Sequence, residues 1–245
     1  MRVYTDMPRS ISPAFIGSRW SFCVLLAASL ALWFALWVFS EIVDDTPKGK
    51  FVGWDEPVLK LIRGTENTGQ GSALITGMAR SVTWLGSSVF LTALSTVALI
   101  WLARQHSWRS ASVLFIAAMG SLVVMTTLKW QFVRARPSVV THLVDEKSWS
   151  FPSGHALCSA AIYIVLSVLL AGRLSTRWRQ AAVVAAAFFL SFLIGLSRIY
   201  LGVHYPTDVL AGWSAGTAWA ILCAGGLAWW EHHARFDTPP VRDKK

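Results

Sequence analysis

The sequence predicts an all-α, polytopic membrane protein with six transmembrane helices and short interfacial helices in the 41–84 segment. Three observations carry this expectation. Hydrophobic residues make up 54% of the 245 residues and charged ones only 14%, well to the apolar side of soluble domains. Apolar runs lie near 20–40, 85–103, 110–128, 156–172, 181–197 and 209–230, each close to the ~20 residues needed to cross the hydrocarbon core. Finally, lysine and arginine gather in alternate loops, as cytoplasmic loops of membrane proteins do.

The first run follows Arg9 and Arg19 as a signal sequence would, but it is full-length and leads into Ser40-Glu41-Ile42-Val43-Asp44-Asp45 with no small-x-small cleavage pattern. It reads as an anchor. The 41–84 segment contains "FVGWDEPVLKLIRG", in which Val58, Leu59, Leu61 and Ile62 recur at helical spacing with Lys60 and Arg63 offset from them. A short amphipathic helix on the outer interface follows from that pattern. Spans two and three are joined through Arg104 and Arg109, and spans four and five through Arg173, Arg177 and Arg179. The tail carries Arg235, Arg242, Lys244 and Lys245. With Arg2, Arg9 and Arg19 at the other end, both termini are expected to be cytoplasmic, which an even number of spans requires. The chain reads as a single domain, 1–245, without internal repeat or linker.

The formal net charge of +9 does not point to nucleic acid, because the cations are scattered over loops on both faces rather than gathered in a stripe. Trp20, Trp54, Trp84, Trp130, Trp149, Trp178 and Trp229 fall near span ends, where amphipathic rings favour the interface. Cys23, Cys158 and Cys223 lie inside spans with no metal-like spacing, so they read as apolar fillers.

The charge rule leaves an exception: Lys129, Arg134, Arg136 and Arg198 fall on the outer face. Lys129 and Arg136 are seven residues apart in "KWQFVRARP", which places them on roughly one helix face, before Pro137 disfavours helix at Arg136. "PSGH" opens span four, and "SRIYLGVHYPTD" closes span five with Ser197, Arg198, His204 and Asp208. Each residue alone has an ordinary explanation. Cations at span ends snorkel to the interface, and Ser153-Gly154 suits a turn before a helix. Together, Lys129, Arg136, Arg198, His155, His204 and Asp208 converge on one face from three segments. Clustered cations repel a divalent metal and stabilise an anion, and arginine forks suit phosphate oxygens. The N-terminus of span four supplies main-chain N–H groups for the same anion. His204 and Asp208 stand at i, i+4, so a carboxylate can fix the ring's tautomer and leave the other nitrogen as a nucleophile. His155 then fits the general acid for the departing oxygen. His106, His142, His232 and His233 show no partner pattern and are assigned no role.

These three stretches resemble the signature motifs of the type 2 phosphatidic acid phosphatase superfamily. The resemblance implies that Lys129, Arg136, Ser153, Gly154 and Arg198 bind phosphate, that His204 forms a phosphohistidine oriented by Asp208, and that His155 is the acid. Arg134 and Ser197 sit within the motif stretches with secondary weight. It implies no metal and no cofactor. Six spans separate the chain from the soluble acid phosphatases and vanadate-dependent haloperoxidases of that superfamily. They point instead to a lipid phosphate substrate met at the bilayer, with no nucleic-acid partner. Undecaprenyl diphosphate leads on resemblance, with phosphatidylglycerol phosphate and phosphatidic acid beside it. A phosphotransferase using the same site, or a transporter binding lipid phosphate without chemistry, are the other readings. The expected location is the inner, cytoplasmic membrane, with the site on the extracytoplasmic, periplasmic face.

Overall fold

A computed structural model describes residues 19–45, 53–63 and 73–236. The tails with Arg2, Arg9, Arg242, Lys244 and Lys245, and the side chains of Trp20, Cys23, His232 and His233, lie outside this description. The regular elements are all helices: α1 (Arg19–Asp45), α2 (Asp55–Arg63), α3 (Ala73–Leu85), α4 (Ser88–Arg104), α5 (Trp108–Phe132), α6 (Gly154–Ala171), α7 (Arg177–Tyr200) and α8 (Pro206–Phe236).

Four helices are long and apolar enough to cross a membrane: α5, α6, α7 and the Pro206–Trp230 part of α8. A fifth span arises when α3 and α4 are joined across a 44° bend. The expected count of six is not reached among the described residues. The second run differs from expectation because Ser87 caps α4, its hydroxyl accepting the Phe90 N–H at 3.2 Å. That cap starts α4 inside the run and leaves it 17 residues long, so α3, in the segment expected to be interfacial, supplies the rest of the span. In α1 the described apolar stretch, Ser29–Val43, is itself shorter than a span.

The bundle is organised around α6, whose residues from Ala156 to Ile162 are all buried. Helix α8 packs on it through Gly212 and Gly216, a small-xxx-small pair that lets two backbones approach closely. A Cβ on Gly212 would stand 2.7 Å from the Ser153 carbonyl oxygen, and one on Gly216 would stand 2.3 Å from that of Leu157. Away from this contact the outer faces are apolar and exposed, with Phe115, Val123, Phe189 and Leu222 among them, as surface bathed in lipid requires. Trp54, Trp84, Trp130, Trp149, Trp178 and Trp229 are likewise exposed. Cys158 and Cys223 are buried and free, as fillers should be.

The ends of α5 and α7 and the starts of α6 and α8 meet at one end of the bundle, covered by the loop 133–153 and by α2. The expected amphipathic helix is therefore present, but it does more than rest on an interface. Leu59 is fully buried in a cluster with Val140, Ala156, Ile199, Tyr205 and Val209, whereas Leu61, expected on the same face, is 82% exposed.

Because the atom that a Gly216 side chain meets is main chain, it cannot swing aside. Gly216→Ala should destabilise the detergent-solubilised protein by about 1–3 kcal/mol, the usual cost of overpacking. Gly225→Ala, whose Cβ enters open space, should leave the melting temperature unchanged or raise it. Equal melting temperatures for the two variants in a thermal scan would contradict the close α6–α8 contact.

Candidate active site

Lys129 lies in the last turn of α5, where its ammonium group donates to the Trp149 carbonyl oxygen. The helix stops at Val133, which adopts a left-handed conformation with φ 43°. Arg136 consequently lies beyond the helix, which corrects the expectation that it shares a helix face with Lys129. The turn nevertheless brings both cations to one cavity. Arg136 is fixed by Nε donating to Ser148 O (2.8 Å), Nη1 to Val203 O (2.6 Å) and Nη2 to Ser148 Oγ (3.2 Å).

Arg198, in the last turn of α7, is 2% exposed. Its Nη1 donates to Thr83 Oγ1 at 3.1 Å, and Nη2 to Glu146 Oε1 at 2.5 Å. The other oxygen of Glu146 stands 3.7 Å from Arg136 Nη2. A loop carboxylate thus sits between the two guanidinium groups, in the place an anion would take.

Ser153 precedes α6 without capping it through its side chain. Its N–H donates to the Asp208 carbonyl oxygen at 2.9 Å, which docks the "PSGH" turn on the start of α8. Its hydroxyl is buried with no hydrogen-bond partner, as is Arg198 Nε. Buried polar groups are rarely left so, and both belong to the set expected to hold an anion. Gly154 and His155 line the same cavity as Lys129, Arg136 and His204.

His204 occupies the turn before α8 and is 2% exposed. Burial, and then the charges of Arg198, Arg136 and Lys129, hold its pKa well below the ordinary value, so the ring is neutral at physiological pH. Arg136 Nη1 lies 3.3 Å from Nε2. A guanidinium only donates, so Nε2 must present its lone pair and the ring proton falls on Nδ1. That nitrogen is 3.5 Å from Asp208 Oδ2 and has no hydrogen bond of good geometry. The expected orienting carboxylate is in place, but at ion-pair distance.

Asp208 is occupied on both oxygens. Oδ1 accepts from Arg134 Nη1 at 2.6 Å, and Oδ2 accepts from Ser150 Oγ at 2.5 Å and from the Tyr205 N–H at 2.9 Å. Arg134 in turn donates Nη2 to Asp55 Oδ2 at 2.7 Å. Sequence reasoning gave Arg134 only secondary weight and missed Asp55, Glu146, Ser150 and Thr83. Asp55 carried a signal, an acid at the start of an amphipathic helix, which also fits simple solvent exposure. Ser197 only returns its hydroxyl to the Ile194 carbonyl oxygen. His142 Nε2 pairs with Pro137 O within the covering loop at 2.6 Å.

From these groups a cavity of about 410 Å³ extends along α4, α5 and α6, walled by Leu91, Leu99, Phe115, Leu122 and Ile162 among others. A cationic head and an apolar body suit an amphiphilic anion.

Residues 109–231 match the PAP2 superfamily, which is just over half the chain. The chain belongs to the PAP2 superfamily. Among its PAP2 relatives, phosphatidylglycerophosphatase B of Bacillus subtilis (strain 168) is 34% identical over 149 residues, 59% of this chain and 71% of that protein. The undecaprenyl-diphosphatase of Sulfolobus acidocaldarius is 28% identical over 174 residues, 65% of this chain and 79% of its own length. The crystal structure of a transmembrane PAP2-type phosphatidylglycerolphosphate phosphatase from Bacillus subtilis superposes with a TM-score of 0.70 at 27% identity, covering 85% of this chain and 98% of that one.

An anion bridging Arg136 and Arg198 would take the place of the Glu146 carboxylate. Glu146→Gln should therefore tighten binding of orthovanadate by about 2–5-fold, the scale of a partly exposed ion pair. An inhibition constant that rises instead would show Glu146 supporting the bound anion.

Proposed function

We propose that this PAP2 protein is a membrane phosphatase that removes a terminal phosphate from a lipid phosphomonoester or diphosphate through a phosphohistidine on His204. The observation that carries the reading is a neutral, buried imidazole whose Nε2 lone pair faces Arg136 beside an apolar cavity. The relatives support it, since their names share a lipid phosphate while differing in the lipid: phosphatidylglycerol phosphate, undecaprenyl diphosphate and lipid A. Undecaprenyl diphosphate and the glycerophospholipid phosphates are the substrates to test first.

In this mechanism Arg136, Arg198, Lys129, the Ser153 hydroxyl and the N–H groups of the first turn of α6, at Gly154, bind the phosphoryl oxygens. Charge spreads over those oxygens in the transition state, where fixed donors in a dry site stabilise most. Nε2 of His204 attacks phosphorus as the bond to the leaving oxygen breaks, and His155, which takes up a proton as the negative charge of the phosphate enters the site, gives that proton to the leaving oxygen. The ring, now carrying phosphate on Nε2 and a proton on Nδ1, gains positive charge that Asp208 opposes. His155, left neutral, takes a proton from water as the water attacks the phosphohistidine, which returns His204 to its starting form.

The proposed topology has six crossings, with α1 and the bent α3–α4 pair added to α5–α8. It places the site at the extracytoplasmic face of the inner membrane and both termini in the cytoplasm. The exposed Lys147, in the covering loop, and the exposed Ser175, between α6 and α7, lie at opposite ends of the bundle. In a cysteine-free background, Lys147→Cys should react with an impermeant maleimide in spheroplasts, and Ser175→Cys only after lysis. The reverse pattern would invert the topology.

His204→Ala should abolish phosphate release from every lipid mono- and diphosphate in a panel. His155→Ala should cost about 10²–10⁴-fold on an alkyl monophosphate, the usual range for general acid–base help. The loss should be smaller on nitrophenyl phosphate, whose leaving group is already a weak base. Single-turnover phosphoryl transfer measures the difference, and equal losses would remove His155 from the acid role.

A further inference from the structure

Asp55 lies far from the three motif stretches in sequence, yet it is fully buried at the centre of the site's support. It accepts the Thr207 N–H at 3.0 Å, the Thr207 hydroxyl at 2.6 Å and Arg134 Nη2 at 2.7 Å. Arg134 joins it to Asp208, donating Nη1 to Thr207 Oγ1 (2.8 Å) and Asp208 Oδ1 (2.6 Å). The guanidinium also lies 4.4 Å from the centre of the Tyr205 ring, which holds it flat between the two acids.

The charges of this set matter more than its hydrogen bonds. Asp208 faces Nδ1 of His204 while Arg136 approaches Nε2, and in the proposed reaction it must balance the positive charge that the ring gains. An aspartate bound by a lone arginine would be a neutral pair and a poor counter-ion. With two carboxylates on one guanidinium, the described ion-paired set keeps one net negative charge. Because all of it is buried, solvent screens that charge little.

We propose that Asp55 is a positioning residue for phosphoryl transfer, cancelling the Arg134 charge so that Asp208 stays anionic toward His204. It touches no substrate and acts through Arg134 and Asp208. The inference rests on His204 being the nucleophile.

The test uses purified full-length protein in detergent and single-turnover transfer from nitrophenyl phosphate, a substrate that makes little demand on His155. Asp55→Asn neutralises the set, and transfer should slow by about 10–100-fold, the scale of disturbing a nucleophile's support at a distance. Orthovanadate, which mimics the transition state, should bind more weakly by a similar factor, while inorganic phosphate should bind within about twofold of wild type because its ligands are untouched. The double variant Asp55→Asn/Arg134→Gln restores one net negative charge at Asp208 and should recover at least roughly tenfold of the lost rate.

A purely structural role predicts the opposite, with the double variant slower than the single and phosphate and vanadate weakened together. Either result overturns the proposal. Should Asp55→Asn not purify as folded protein, the double variant decides alone. Activity within about tenfold of wild type supports the proposal, and a greater loss overturns it. If His204→Ala still turns over, the nucleophile itself is wrong. If His204→Ala is inactive while Asp55→Asn matches wild type, only the role of Asp55 fails.

Discussion

The arrangement at the head of the bundle depends on one guanidinium group, that of Arg134. It is buried, and it binds a carboxylate from α2 and a carboxylate from α8 while stacked on Tyr205. Removing the partners of a buried arginine is strongly destabilising, and here both terminal nitrogens are paired with carboxylates. The three elements it joins are far apart in sequence and meet at its charge, with the burial of Leu59 and the Asp55–Thr207 hydrogen bonds holding α2 to the start of α8 beside it. Helix α2 is drawn over the site, the start of α8 is oriented, and the chain leaving α5 is pinned where it turns toward Arg136.

The second constraint is repulsion. Lys129, Arg136 and Arg198 are brought together at the end of an apolar bundle, where burial and mutual charge disfavour them. The protein offsets this locally with carbonyl oxygens from the covering loop and with the Glu146 carboxylate between two of the cations. Burial, and then the charge of these same cations, keep His204 unprotonated. In the proposed reaction, anion binding and an unprotonated nucleophile therefore draw on one cluster of charges.

Much of this was legible in the sequence. Helix content followed from apolar runs, and the head of the bundle followed from three stretches that gather cations, histidines and an acid at helix ends. Lys129, Arg136, Ser153, Gly154, His155, Arg198, His204 and Asp208 do meet at one end. The span count was less legible, because Ser87 caps a helix inside an apolar run and hydropathy does not register a cap. The shared helix face of Lys129 and Arg136 failed for a similar reason: Val133 enters a left-handed conformation, which is uncommon for a β-branched residue. Asp55 and Glu146 were unreadable because an acid in a polar segment looks the same whether it faces water or a buried arginine. Only tertiary structure separates those cases.

Gly212 sets a dimension of the site by what it lacks. It lies against the Ser153 carbonyl, one helical turn along α8 from Asp208, so the gap between α6 and α8 acts as a caliper whose opening fixes how far Ser153 stands from His204. The jaws of that caliper are main chain, which has no rotamers to adjust. The exposed apolar sides of α5 and α7, with Phe115, Val123 and Phe189 among them, set no such distance.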